Sequence, residues 1–114
     1  MTYPPTPRHV EIRDGDRTVA AAEVTTAAGP EGTARTSLRA VAGHLAPGRR
    51  ADLVDTVMDL PEVRASQRLE ATIPLGDVEF LQRLRERTTD AVIRPAGSTA
   101  LLDATIPPPR LPDA

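Results

Sequence analysis

The amino-acid sequence predicts a small α/β domain whose sheet is mixed but mostly antiparallel. Extended segments with alternating apolar residues occur near the N-terminus and again near the C-terminus. Between them lie two segments whose apolar residues recur at helical spacing. Glycine, proline and aspartate separate the segments, as expected where a chain turns. The resulting order is β-β-β-α-β-α-β-β, which favours a mixed sheet with helices on its faces.

The first three elements are predicted strands. Residues 9–13 alternate between polar and apolar side chains, and residues 17–26 continue as an alanine-rich extended run. The Asp-Gly-Asp sequence at 14–16 predicts a tight hairpin between them, because glycine tolerates the positive φ of such a turn. After a second turn, residues 34–43 form the third predicted strand.

Two helices and three further strands follow. The spacing predicts helices over 47–60 and 77–88, with a short strand at 68–73 between them. Residues 91–94 and 99–106 are the last predicted strands, which brings the sheet to about five or six strands.

Two residues are expected to mark helix ends. Pro61 ends the first helix or begins a further turn, because proline cannot donate a backbone hydrogen bond. Asp77 is placed to cap the second helix through its side-chain carboxylate.

The predicted core is aliphatic, because the chain has one phenylalanine, one tyrosine and no tryptophan. Such a core buries less area per residue, so we expect modest stability unless a partner covers more surface. The predicted core residues are Val10, Ile12, Val24, Leu38, Val41, Leu53, Val57, Leu69, Ile73, Phe80, Leu81, Leu84, Ile93 and Leu102.

The chain of 114 residues has the size of one domain. We assign this domain to residues 8–106 and expect proline-rich tails at 1–7 and 107–114. The formal net charge is −2 with both signs intermixed, which predicts neither nucleic-acid nor membrane binding.

The absence of cysteine excludes disulfides, thiol catalysis and thiolate metal sites. It also fits a reducing compartment, so a cytoplasmic location is expected. No apolar run approaches the roughly 20 residues that span a bilayer. All basic residues except the two histidines are arginine, which is typical of a high-GC bacterium.

Three stretches of the chain together resemble a known family. Residues 38–42 and Pro47 form a predicted strand and its exit, and the turn Gly48-Arg49-Arg50 opens the next helix. The final stretch, residues 69–106, has the order strand, helix, strand, strand. This combination resembles the C-terminal part of the GNAT superfamily of N-acetyltransferases, over roughly residues 8–106.

The resemblance implies a cofactor site and a general base. Gly48, Arg49 and Arg50 match the loop and helix N-terminus with which the family binds the coenzyme A pyrophosphate. A strand glutamate, Glu23 or Glu70, would act as the base. Two solvated arginines after a turn and two exposed strand glutamates are the alternative interpretation.

The sequence also departs from the family pattern. Only one glycine remains in the loop, and Asp52 would place a negative charge near a phosphate. No tyrosine follows Tyr3, although the family often uses one in its last helix to protonate the leaving thiolate. The seven residues before the domain are too few for the family's N-terminal strand and helices.

Other polar residues could carry chemistry. His9 and Glu11 share one face of a strand, and with His44 they could form a metal site or an acid/base pair. Surface histidines are the simpler interpretation, and we predict no metal. An acidic edge could be solvated or could meet the arginines of the last helix in another subunit; its residues are Asp52, Asp55, Asp59 and Glu62, and the arginines are Arg83, Arg85 and Arg87.

We therefore predict a small non-catalytic GNAT-like module without a cofactor, acting as a homodimer or through a protein partner. An unpaired edge of the hairpin at residues 9–26 would favour such pairing. The alternatives are a small acyltransferase that uses acetyl-CoA and a small-molecule-binding protein with a pocket on the sheet.

Overall fold

The computed structural model describes residues 7–26, 32–40 and 47–107. It confirms the predicted class, an α+β fold with one six-stranded, mostly antiparallel sheet. The strands are β1 (Arg8–Asp14), β2 (Arg17–Thr26), β3 (Thr33–Ala40), β4 (Arg68–Pro74), β5 (Thr89–Ala96) and β6 (Thr99–Thr105), and the helices are α1 (Arg49–Met58), α2 (Pro61–Arg64) and α3 (Val78–Arg87).

Several element boundaries differ from the predicted ones. The helix predicted at 47–60 begins later, because Gly48 has a φ of 90° and stands outside the helix as its N-cap. Pro61 is the first residue of the short helix α2, a position that does not require a backbone N–H. The strand predicted from residue 91 already begins at Thr89. Residues 41–43 of the predicted third strand lie outside the described residues.

The sheet has the strand order β1-β2-β3-β4-β6-β5. Only the central pair, β3 and β4, is parallel, and all other neighbours are antiparallel. The predicted hairpin joins β1 to β2 through Gly15, whose φ is 64°. Pairing of β3 with β4 ends at Ser37 opposite Thr72.

Beyond Ser37 and Thr72 the two central strands no longer pair with each other. β3 continues to Ala40 by pairing with β2, and β4 continues to Pro74 by pairing with β6. Among the described residues, the C-terminal end of each strand therefore has a ladder partner on one side.

Helices α1 and α3 pack against each other and cover one face of the sheet. The side chains on this face form one apolar core, which includes Phe80 and Leu53 at 0% exposure. Ile12, Leu81 and Ile93 are only partly buried, unlike the prediction, and Val41 lies outside the described residues. The core also contains residues outside the predicted core set, namely Ala20, Ala22, Ala34, Val54, Met58, Val63, Ala71, Ala100, Ala104 and Ile106.

The opposite face of the sheet, to which the alternate strand residues point, is mainly polar but also includes Leu101 and the exposed Val92. The paired strands place Arg35, Glu70 and Asp103 in one row across this face. Among the described residues no helix is long and apolar enough to cross a membrane.

Candidate functional site

The predicted phosphate-binding turn lies at the start of α1, where backbone N–H groups are available to an anion. Gly48 is the N-cap and provides no side chain for capping. A carboxylate from α3 occupies this position instead: the backbone N–H of Ala51 donates to Oε2 of Glu79 at 3.0 Å. The positive end of α1 is thus neutralised by the protein's own side chain.

Arg50 is held in a partly buried ion pair. Its Nε donates to Oδ2 of Asp77 at 2.8 Å, and the two side chains are 24% and 11% exposed. Its guanidinium carbon lies 5.9 Å from the centre of the Phe80 ring, within cation–π range. Asp77 also caps α3 as predicted, because its Oδ1 accepts from the Phe80 N–H at 3.1 Å.

Arg49 has weaker contacts. Its guanidinium nitrogens lie 3.6 Å from Asp14 and 3.8 Å from Asp52. The structure therefore brings Gly48, Arg49 and Arg50 together at one helix end, and sets four carboxylates around them, on Asp14, Asp52, Asp77 and Glu79.

The open face of the sheet contains a groove with a volume of about 380 Å³. Glu23 and Glu70, the two predicted base candidates, both line it. Glu70 stands directly opposite Asp103 across β4 and β6, an arrangement of like charges that destabilises a sheet unless cations compensate. The compensating contacts are Arg35 Nε to Glu70 at 2.8 Å and Arg68 to Asp103 at 2.7 Å.

Glu23 is likewise engaged, in a three-residue cluster with His9 and Glu11. The His9 ring places Nδ1 2.7 Å from Glu23 and Nε2 3.0 Å from Glu11. The predicted sharing of one face by His9 and Glu11 is confirmed. His44, the third member of the hypothesised metal site, lies outside the described residues, and within those residues no group suited to a metal ion occurs.

The hydrogen bond to Glu11, followed by that to Glu23, raises the pKa of His9 above its ordinary 6.5. The same contact with His9 lowers the pKa of Glu11. Because the folded pKa of His9 is raised, this cluster stabilises the fold fully below pH 6.5 and loses that contribution as the pH rises through the raised value.

We expect an NMR titration of the His9 ring to give a midpoint above 6.5, assigned by comparison with His9→Gln. Glu11→Gln should shift the midpoint back toward 6.5, because it removes the largest cause. A wild-type midpoint at or below 6.5 would show that His9 does not form the hydrogen bonds to Glu11 and Glu23.

The acidic edge and the arginines of the last helix, hypothesised to meet between subunits, contact each other within the single chain. Arg83 donates to Asp55 from Nε and a terminal nitrogen at 2.9 and 2.8 Å. Arg87 donates to Asp55 at 2.7 Å and to Asp59 at 2.6 Å. These pairs join α1 to α3, and Arg85 belongs to no ion pair with another described residue.

The other two acidic residues of that edge also have cations near them. Glu62 Oε1 lies 3.1 Å from a guanidinium nitrogen of Arg8, and Asp52 is the residue 3.8 Å from Arg49. The acidic edge is therefore largely neutralised by the chain itself.

Sequence reasoning missed Glu79 and the ion pair of Asp77 with Arg50. The amide of Ala51 and the carboxylate of Glu79 are separated by 28 positions, so no local pattern joins them. A glutamate in the first turn of a helix, as Glu79 is in α3, is ordinarily explained by its favourable interaction with the dipole of that same helix.

Comparison with known proteins gives structural matches only. No protein-family model matches the sequence, and no curated protein matches it significantly. An acetyltransferase of the GNAT family from Streptococcus pneumoniae superposes with a TM-score of 0.62 at 10% identity, covering 89% of this chain and 67% of the other. A putative acetyltransferase from Sphaerobacter thermophilus gives a TM-score of 0.59 at 15% identity, covering 94% and 68%.

A third match is a putative acetyltransferase from Salmonella typhimurium, solved with its cofactor acetyl-CoA. It gives a TM-score of 0.58 at 12% identity, covering 95% of this chain and 69% of the other. These three matches cover 89–95% of this chain. The chain therefore has the fold of the GNAT acetyltransferases.

Proposed function

We propose that this chain is a non-catalytic module with the GNAT fold, which acts without a cofactor through self-association or a protein partner. The observation that carries the proposal is the 3.0 Å hydrogen bond from the Ala51 N–H to Glu79, at the helix end where the fold would receive a phosphate. A cytoplasmic location remains part of the proposal and fits a chain without cysteine.

The electrostatics of this helix end oppose a coenzyme A pyrophosphate. A phosphate entering here must displace Glu79 and compete with Asp77 for Arg50. The displaced carboxylates remain nearby as like charges, and like charges in contact disfavour binding. The helix dipole and the arginine fork, the two features that attract phosphates, already serve internal contacts.

The candidate bases support the same proposal. A general base has to be free to accept a proton from the acceptor amine. Glu70 is bound by Arg35 and Glu23 is bound by His9, at 2.8 and 2.7 Å. Both side chains are nearly half exposed, at 46% and 44%, so neither lies in a water-excluded site.

Thermal unfolding with coenzyme A and with acetyl-CoA tests this proposal, because a ligand that binds only the folded state raises Tm by mass action. We expect no Tm shift for the wild type at ligand concentrations up to millimolar, and no release of coenzyme A from acetyl-CoA with amine acceptors. Glu79→Ala should bind coenzyme A better than the wild type, because it frees the Ala51 N–H.

Glu86→Ala is the matched control, since it removes the same charge from the exposed side of α3. It should leave coenzyme A binding at the wild-type level. A wild-type Tm shift together with acetyl-CoA turnover would instead establish the alternative, a small acyltransferase. The observation in favour of that alternative is the structural likeness to a putative acetyltransferase solved with acetyl-CoA.

The groove of about 380 Å³ on the open face is the observation in favour of small-molecule binding. Every carboxylate that lines it already contacts a cationic side chain. We therefore rank this function below self-association. Stabilisation by a small molecule that Glu70→Gln abolishes would reverse that order.

A further inference from the structure

We propose that β1 is the surface through which the chain self-associates: two copies pair their β1 strands antiparallel about a two-fold axis at Ile12. This inference rests on the proposed function, in which self-association is one of two modes of action, and it names the occupant of the surface as a second copy. The pairing would join the two sheets into one continuous sheet.

The two edges of the sheet differ in their capacity to pair. β5, at one edge, contains Pro95, and its ladder is irregular near Asp90, which has a φ of 55°. Proline and irregular backbone are features that prevent an edge strand from adding a further strand. β1, at the other edge, runs over seven residues without proline, and its one register shift results from an extra residue, Val19, in β2.

The side chains of β1 carry a pattern that matches its own copy. His9, Glu11 and Arg13 point to the open face of the sheet and are exposed. With the two-fold axis at Ile12, Glu11 faces the partner's Arg13, and by symmetry the pair occurs twice. Opposite charges directly across a strand pair stabilise it.

Other registers are less favourable. An axis at Glu11 would set this residue against the partner's Glu11, and His9 against the partner's Arg13, so like charges would face each other. An axis at Val10 would set His9 against the partner's Glu11, but it would place Arg13 opposite the partner's Pro7, which lies outside β1.

Two of the residues that the Ile12 axis would use, Arg13 and Ile12, have incomplete contacts among the described residues, whereas Glu11 already contacts His9 at 3.0 Å. Arg13 forms no ion pair with any other described residue. Ile12 is only partly buried at the edge of the core, and the axis would place it against the partner's Ile12 on the helix-covered face. Both changes bury or neutralise groups that water now contacts.

Sedimentation equilibrium across micromolar concentrations, with charge reversals, tests the interface. We expect the wild type to reach the mass of two chains, and Arg13→Glu or Glu11→Arg alone to weaken the dimer at least about tenfold, because each variant sets like charges opposite each other twice. The double variant Glu11→Arg/Arg13→Glu should restore dimerisation. Arg94→Glu, the same reversal on the opposite edge strand, should leave it unchanged.

Cross-linking fixes the register, because the chain contains no cysteine. Residues directly opposite each other in an antiparallel pair lie within the Cα separation that a disulfide needs. Oxidised Ile12→Cys should therefore give a covalent dimer, whereas oxidised Val10→Cys should not. The reverse result would overturn the Ile12 register.

A wild-type mass of one chain at every concentration would overturn the interface itself, as would a dimer that Arg94→Glu dissociates and Arg13→Glu does not. Neither result involves coenzyme A. Failure of the proposed function would appear in a separate experiment, as a rise in the protein's Tm with acetyl-CoA together with release of coenzyme A. A monomeric protein whose Tm does not change with coenzyme A would overturn the pairing with a second copy. It would leave the proposed function with a protein partner as its mode of action.

Discussion

Phe80→Ala is expected to lower the free energy of unfolding by about 3–5 kcal/mol, which is the range for removing a large side chain from a packed core. Phe80 is the largest of the fully buried side chains, with 0% exposure. Its ring also lies under the Arg50 guanidinium at 5.9 Å, so its loss exposes one side of that ion pair to water. Urea denaturation of the variant and the wild type gives the difference directly.

Val78→Ala is the control for this prediction, because it lies in the same helix but is 68% exposed. Surface substitutions of this kind change stability by less than about 0.5 kcal/mol. Equal effects of the two substitutions would show that α3 packs with a different face against the sheet.

Asp55→Asn is expected to cost about 1–2 kcal/mol at neutral pH. The carboxylate of Asp55 accepts three hydrogen bonds, two from Arg83 and one from Arg87, at 2.7–2.9 Å. Hydrogen bonds to charged groups contribute about 1.5–3 kcal/mol when they are buried. The side chain of Asp55 is 29% exposed, so water screening reduces the expected value.

The effect should depend on pH in a defined direction. The hydrogen bonds from Arg83 and then Arg87 hold the pKa of Asp55 below its ordinary 3.8. A depressed pKa gives stability that is fully present above 3.8 and is lost as the pH falls through the lower folded value. The difference between the wild type and Asp55→Asn should therefore be constant near neutrality and shrink in strong acid.

Asp52→Asn provides the comparison, since Asp52 is 58% exposed and its nearest cation is 3.8 Å away. We expect Asp52→Asn to lower the free energy of unfolding at neutral pH by clearly less than Asp55→Asn does, by at most about 1 kcal/mol from the lost interaction with the dipole of α1. A similar loss for both aspartate variants would mean that the contacts with Arg83 and Arg87 contribute nothing specific.

Local features of the sequence predicted most of the fold. Alternation and helical spacing depend on neighbouring residues, which is why β1, the α3 helix and the burial of Phe80 could be predicted. The cap by Asp77 was predictable because the capped N–H lies only three residues away. Ile12, Leu81 and Ile93 are less buried than predicted, because periodicity gives the face of a residue but not its distance from the edge of the core.

The candidate site was only partly predictable. The turn Gly48-Arg49-Arg50 was located correctly at a helix start, because the elements around it follow in order along the chain. The carboxylates that neutralise this turn belong to Asp77 and Glu79. They are 27 and 28 positions along the chain from Arg50 and Ala51, which they contact. Contacts of this kind depend on how α1 and α3 are placed against each other, which is a property of the whole fold.

The single parallel strand pair has a consequence for folding. Strands β1 to β3 form one antiparallel unit, and β4 to β6 with α3 form another. Within the described residues the ladder between the two units is the five residue pairs of β3 with β4, Thr33 to Ser37 against Arg68 to Thr72. Helix α1, which packs on β1 and β2, also contacts α3. Parallel strands require a long crossover, and closing it loses chain entropy before the ladder compensates. We therefore expect the local pairings within each antiparallel unit to form before the β3–β4 ladder that joins the two units.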